Sequence, residues 1–230
     1  MLRLSPANGR PIGRPIRAFG IVGWSGAGKT TLIEHLLVQF ASWGLSVSVI
    51  KHAHHGFDID RPGKDSWRHR EAGATEVMLV SDQRWVLMHE LRNTPRNLPG
   101  QTLHNTLPDT PDNSPTASGA AQPPALGEPD LATLLSRLAP CDFVLVEGYK
   151  ESHIPKIEVY RIGLGKPRFQ GGDPDIVAVA TDQAGPLAAG QLPLNDPQTI
   201  ARFILTHLGL TAPLASTVLL ASTVPVGAGD

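Results

Sequence analysis

Apolar residues recur along the chain in two rhythms. Short unbroken runs, bounded by glycine or polar residues, alternate with stretches in which apolar positions return every three or four residues. "AFGIV" at 18–22 is of the first kind and predicts a buried strand. "TTLIEHLLVQFASWG" is of the second: Leu32, Ile33, Leu36, Leu37 and Phe40 share one helical face, and Gly44 stops it. "SVSVIK" at 46–51 predicts a second strand, and "KDSWRHREAGA" at 64–74 a short helix ending at Gly73. "EVMLVS" and "RWVLMHE", parted by a turn at Asp82-Gln83, predict a hairpin. "LATLLSRLA" reads as a helix and "FVLVE" at 143–147 as a buried strand. The alternating "KIEVYR" at 156–161 and the run "DIVAVA" at 175–180 predict two more strands, and "DPQTIARFILTHL" a capped amphipathic helix. Strands alternating with helices imply an α/β fold: a mainly parallel, twisted sheet flanked by helices, with right-handed crossovers.

The pattern breaks in three places. The first 17 residues hold four arginines, three prolines, no acid and no apolar stretch long enough for a secretory signal, so 1–17 reads as a disordered extension. Residues 93–130 carry eight prolines and the run "NSPTASGAAQPPALGEPD", which buries too little apolar surface to offset its ordering entropy. This segment reads as a mobile insertion within one nucleotide-binding domain spanning 18–210. Residues 211–230 form an apolar tail, in which Pro213, Pro225 and scattered Ser and Thr argue against a membrane span. Composition narrows the classes further. A formal net charge of -1 over 230 residues points away from nucleic acid as a partner. A single cysteine, Cys141, excludes an intramolecular disulfide and a multi-cysteine metal site, and suits a reducing cytoplasm.

The sharpest chemical signal lies between the first strand and the first helix. Gly23-Trp24-Ser25-Gly26-Ala27-Gly28-Lys29-Thr30 matches the phosphate-loop pattern G-x-x-x-x-G-K-[ST] in full. Glycines let successive backbone N–H groups face one anion, and the helix that follows adds its positive end. Lys29 supplies a point charge to the β- and γ-phosphates, and Thr30 a hydroxyl for Mg2+. "FVLVEGYK" then ends an apolar strand in Glu147-Gly148. An acid there suits the Mg2+ shell or the attacking water, with Lys150 close by for phosphate or a partner.

Between the second strand and the next helix, "KHAHHGFDIDRPGKDSWRHR" is the stretch densest in functional side chains. Its position is that of a switch loop sensing a γ-phosphate. Asp58 and Asp60 are candidates for Mg2+, and Lys64, Arg68 and Arg70 for a second anionic ligand. His52, His54 and His55 are an alternative transition-metal set, without the i, i+4 pairing of a helical site. Asp182, after "VAVAT", is a candidate to accept two N–H bonds from a guanine edge, with a turn or helix-capping aspartate as the alternative, since the full Asn-Lys-x-Asp signature is absent.

Together, "GWSGAGKTTLIEHL", "VIKHAHHGFDIDRPGKDSWRHREAGA", "QRWVLMHE", "VLVEGYK" and "IPKIEVYR" resemble the MobB family of molybdopterin-guanine dinucleotide biosynthesis proteins. The resemblance covers roughly 18–91 and 131–208. It implies a P-loop GTP-binding protein of SIMIBI-like architecture, a weak GTPase that dimerises through the hairpin ribbon around Arg84–Glu90. It implies binding to a MobA-like molybdopterin guanylyltransferase and assistance in joining GMP to molybdopterin, with molybdopterin itself a candidate ligand. Position by position, it implies phosphate contacts from Gly26, Ala27, Gly28, Lys29, Thr30 and Thr31, in a nucleotide-binding loop that also takes in Gly23 and Ser25. It gives Mg2+ to Thr30 and Glu147 with Asp58 or Asp60, and the base to Asp182. On the residues themselves, His52, His54, Lys64, Asp65, Arg68, Arg70 and Lys150 are the candidates for substrate or partner, and Lys29 and Glu147 for the chemistry. The Arg-rich start, the Pro-rich insertion and the apolar tail depart from the family pattern.

Three other classes remain open on sequence. A P-loop small-molecule kinase would use Lys64, Arg68 and Arg70 for its acceptor, but the insertion, with only Arg96, makes a poor lid. A metallochaperone GTPase would use the three histidines. A pure binding module would hold the nucleotide without hydrolysing it.

Overall fold

The computed structural model describes residues 16–53, 57, 59–82, 84–90, 129–169 and 171–212. The extension before residue 16, the insertion from 93 to 128, the tail from 213, and His54, His55 and Asp58 lie outside the described residues.

Eight strands form one sheet: β1 (Ala18–Val22), β2 (Val47–His52), β3 (Glu76–Val80), β4 (Trp85–His89), β5 (Phe143–Glu147), β6 (Lys156–Tyr160), β7 (Ile176–Thr181) and β8 (Gln191–Pro193). Their order is β4-β3-β2-β5-β1-β6-β7-β8. Only β4 runs antiparallel, as the second arm of the expected hairpin. β1, β3 and β5 are buried along their whole length, which is why they read as unbroken apolar runs rather than alternating ones.

Among the described residues, four α-helices cover the sheet: α1 (Lys29–Ser42), α2 (Asp65–Glu71), α3 (Leu131–Leu135) and α4 (Pro197–His207). On one face, Phe19 and Ile21 of β1 join Leu32, Ile33, Leu36, Leu37 and Phe40 of α1 and Ile200, Ile204 and Leu205 of α4 in one core. On the other, Ala18, Ile50, Met78, Val144 and Val146 pack with Leu134 of α3. Asp130 caps α3 by accepting from the Thr133 N–H at 2.7 Å, and Asp196 caps α4 through Thr199 N–H at 3.0 Å. No side chain caps α1, whose first turn follows Gly28 in a left-handed conformation at φ 95°.

Three details differ from the sequence expectation. α3 stops at Leu135, short of the full "LATLLSRLA" stretch. β8 has no forerunner in the pattern, because three residues ending in proline carry no period. The polar positions of β6 are interior: Lys156 and Glu158 are buried, because β6 lies between β1 and β7. Lys156 Nζ donates to Lys150 O, Ser152 O and Asp173 Oδ2 at 2.6, 2.8 and 2.7 Å, and Glu158 accepts from the Phe169 N–H at 2.8 Å. No described helix is long and apolar enough to cross a membrane.

The strand order sets the site. β2, β5 and β1 lie side by side and parallel, with Lys51 and Ile21 both in register with Glu147. Their carboxyl ends therefore open onto one crevice, the place where open parallel sheets bind ligands.

Candidate functional site

The loop from Gly23 to Thr30 joins the end of β1 to α1 across this crevice. Gly23 has φ 148°, and a Cβ there would lie 2.5 Å from the Val159 carbonyl oxygen, so only glycine lets the loop leave the sheet at that point. Uncapped N–H groups at the start of α1 and the helix dipole make an anion-binding concavity. Lys29 folds over the loop and donates to the carbonyls of Gly23 and Trp24 at 3.1 and 3.0 Å. Its burial pulls the ammonium below the ordinary lysine range against the opposing charge of Glu147, with Lys51 and Lys150 adding to the fall.

Glu147 ends β5 almost fully buried and collects three donors. Thr30 Oγ1 donates to its Oε1 at 3.0 Å, Lys51 Nζ donates to the same oxygen at 2.7 Å, and His69 Nε2 lies 3.2 Å from its Oε2. Burial alone would raise its pKa, but the His69 hydrogen bond and the Lys51 charge outweigh burial and hold it at about 2. An ionised carboxylate only accepts, so His69, fully buried on α2, carries its proton on Nε2; its Nδ1 has no partner. Lys51 also pairs with Asp65 Oδ2 at 2.7 Å and lies 3.3 Å from Thr30 Oγ1. Thr30, Glu147 and Asp65 thus present an all-oxygen donor set, which fits a hard cation such as Mg2+ rather than a transition metal.

The other expected residues divide. Arg68 forks onto Glu34 of α1, with Nη2 to Oε2 at 2.8 Å, and reaches Thr31 Oγ1 at 3.3 Å, so it ties α2 to α1. Arg70 Nε donates to Asp60 Oδ1 at 2.9 Å, and Asp60 sits in the left-handed region at φ 48°. Lys64 is exposed before α2. The His52 ring packs against Tyr149, tilted by 43°, with ring centroids 5.1 Å apart. Among the described residues no group of three or more His, Cys, Asp or Glu side chains is arranged to hold a metal ion. Lys150 lies over the rings of Trp24 and Phe169, at 5.3 and 4.8 Å from their centroids. Asp182 accepts from the Ile162 N–H at 3.1 Å and from Arg161 Nη1 at 3.2 Å.

Lys51, His69 and Arg161 were not among the expected site residues. Arg161, just past β6, donates from Nε to the Ala27 carbonyl at 3.0 Å and so grips the loop from the side. Its only sequence signal is a base at the carboxyl end of a strand. A cavity of about 560 Å3 opens beside Gly28 and Thr31 and runs past Arg161 to Asn195 and Asp196. A second, of about 710 Å3, lies past the end of β5 among His52, Leu131, Tyr149, Lys150 and His153.

Comparison with known proteins agrees with the motif reading. The sequence model of the family MobB, molybdopterin guanine dinucleotide synthesis protein B, matches residues 18–109 and 116–182. The chain is 36% identical over 194 residues to the molybdopterin-guanine dinucleotide biosynthesis adapter protein of Escherichia coli strain K12, covering 83% of this chain and 91% of that protein. It is 37% identical over 189 residues to the protein of the same description from Haemophilus influenzae, covering 82% and 88%. The crystal structure of Bacillus subtilis MobB aligns with 83% of this chain and 96% of its own, at 20% identity and a TM-score of 0.44.

Proposed function

This chain belongs to the MobB family, molybdopterin guanine dinucleotide synthesis protein B, and on that footing we propose that it is an adapter in the formation of molybdopterin-guanine dinucleotide, binding GTP and Mg2+ at the loop from Gly23 to Thr31. The observation that carries the reading is the 3.0 Å hydrogen bond from Thr30 to Glu147, made beside Lys29 and the uncapped start of α1. The loop N–H groups take the phosphate charge, and Lys29 exchanges its two carbonyl partners for phosphate oxygens. Thr30 and Glu147 would hold Mg2+, which would supply neutralising charge to the phosphates. The nucleoside follows the loop into the cavity beside Gly28.

Hydrolysis by this chain alone is slow. A general base works best with a pKa near the working pH, and Glu147 is held at about 2 by His69 and Lys51. That favours an adapter, working in the cytoplasm beside a MobA-like guanylyltransferase that joins GMP to molybdopterin. The cavity past β5 suits the pterin, since His52 and Tyr149 line it with aromatic rings and Lys150 adds a cation. The β3–β4 ribbon suits a homodimer contact.

The test is a titration of the full chain with GTP and with ATP in Mg2+, following phosphate release in the same samples, then capture of the guanylyltransferase. GTP-selective binding, slow release, capture of the partner and loss of binding in Lys29→Ala are the expected results. Equal affinity for ATP, or unchanged affinity in Lys29→Ala, would overturn the reading.

A further inference from the structure

A cation already sits among the oxygens at the foot of the phosphate loop. The ammonium of Lys51 lies 2.7 Å from Glu147 Oε1, 2.7 Å from Asp65 Oδ2 and 3.3 Å from Thr30 Oγ1. These oxygens come from the end of β5, the first residue of α2 and the first turn of α1, so three elements converge on one positive charge. Thr30 Oγ1 gives its proton to Glu147 and keeps its lone pairs toward Lys51. A hydroxyl and two carboxylates are a donor set that a hard divalent ion takes at roughly 2.0–2.1 Å, so the two carboxylate oxygens need to close in by about 0.6–0.7 Å, and Thr30 Oγ1 by about 1.2–1.3 Å, to hold Mg2+. An ammonium and a divalent ion do not share that space, because like charges so close in a partly buried site repel strongly.

We propose that Lys51 is a displaceable resident cation: it holds Thr30, Glu147 and Asp65 together, and it yields their oxygens to the divalent ion that arrives with the nucleotide, with Asp65 becoming a third protein oxygen of that ion's surroundings. The proposal rests on the nucleotide reading of the phosphate loop and adds to it two residues, Lys51 and Asp65, with a defined exchange between them. Lys51 is the right kind of group for this. Its position in register with Glu147 fixes the stem on β2, while four rotatable bonds leave the ammonium free to swing toward the phosphates that accompany the ion. Asp65 is the right kind of partner. Its side chain is 42% exposed, against 5% for Glu147, so it adjusts its reach without a buried charge being stranded. Because Asp65 starts α2, whose His69 also contacts Glu147 and whose Arg68 holds α1, the exchange is felt along that helix.

The first experiment uses Mn2+ as a spectroscopic probe, by electron paramagnetic resonance on the full chain without nucleotide. Lys51→Met removes the resident charge and leaves two carboxylates to attract the probe. It is expected to bind Mn2+ at least about tenfold tighter than wild type, and Lys51→Met with Asp65→Asn is expected to lose that gain. Equal Mn2+ affinity in wild type and Lys51→Met would overturn the proposal. Should Lys51→Met fail to fold, Asp65→Asn alone decides, through the ratio of GTP affinity with Mg2+ to that in chelator. A fall in that ratio of about tenfold is expected, and an unchanged ratio overturns the proposal. Failure of wild type to bind GTP at all would instead count against the nucleotide reading, while the Mn2+ comparison would still decide the role of Lys51.

Discussion

The stem of Lys156 lies directly across Gly20: a Cβ on Gly20 would stand 2.4 Å from Lys156 Cγ. The two residues are register partners on β6 and β1, and Gly20 has a place in the middle of a buried strand because a lysine fills the space a side chain would take. The ammonium at the far end of that stem holds the carbonyls of Lys150 and Ser152. A glycine inside the sheet is thus tied to the loop that carries Lys150 toward Trp24. Gly20→Ala is expected to destabilise the fold by about 1–3 kcal/mol, the range for overpacking a core. A double-mutant cycle with Lys156→Ala, read by urea unfolding, should recover part of that loss, since Cγ is gone. Strict additivity of the two variants would show that the contact does not limit the packing.

Glu147 makes stability depend on acid. Its carboxyl ordinarily titrates at 4.5 and is held at about 2 in the fold. A depressed carboxylate stabilises the folded state fully above its unfolded value and loses that contribution as pH falls through the folded one. The shift corresponds to about 3 kcal/mol at neutral pH, vanishing between roughly pH 4.5 and pH 2. Unfolding free energies of wild type and Glu147→Gln, compared at pH 6 and pH 3, should show a flatter profile in the variant. Parallel profiles would mean that His69 and Lys51 do not hold the charge.

Arg161 and Asp182 act as one clamp on the loop. Asp182 engages Arg161, and Arg161 engages the Ala27 carbonyl. Hydrogen bonds with a charged member are worth about 1.5–3 kcal/mol, so Arg161→Ala is expected to weaken nucleotide binding about tenfold or more. If Asp182 works through Arg161, Asp182→Ala lowers GTP and ATP affinity by the same factor, measured side by side by calorimetry. A loss confined to GTP would instead give Asp182 the guanine edge.

Much of this arrangement was legible in the sequence. Phosphate loops are written in consecutive residues, and Glu147 ends an apolar run, so local pattern singles out Lys29, Thr30 and Glu147, which the fold brings together. The parallel sheet followed from unbroken runs such as "FVLVE", which only burial on both faces explains. What the pattern missed depends on neighbours far apart in the chain. Lys51 reads as the polar end of a strand until β5 is laid beside β2, and His69 as one more polar residue of a short helix until that helix is packed over Glu147. Arg68 and Arg70 looked available for a ligand because Glu34 and Asp60, their partners, lie 34 and 10 residues away. The alternation of "KIEVYR" marks a strand, but nothing local announces that both its faces are covered and that Lys156 and Glu158 are buried.

The hairpin carries the last prediction. β4 is the edge of the sheet, and Trp85 on it is 43% exposed. An apolar edge strand with free N–H and C=O groups is a template for pairing with another chain. The same hairpin is tied to the loop before α2: Arg70 bridges Glu90 at 3.4 Å and Asp60 at 2.9 Å, and Arg84 donates to the Phe57 carbonyl at 2.6 Å. A second copy docked on β4 would therefore steady the loop that leads to Asp65. The chain is expected to be a homodimer by light scattering, and Trp85→Lys, which places a charge on the edge, to raise the dimer dissociation constant by about thirtyfold or more, as loss of a buried tryptophan anchor does. A wild-type monomer, or a Trp85→Lys dimer of undiminished strength, would remove the ribbon from the interface and leave the steadying of that loop to contacts within the chain, such as those of Arg70, Arg84 and Ser66.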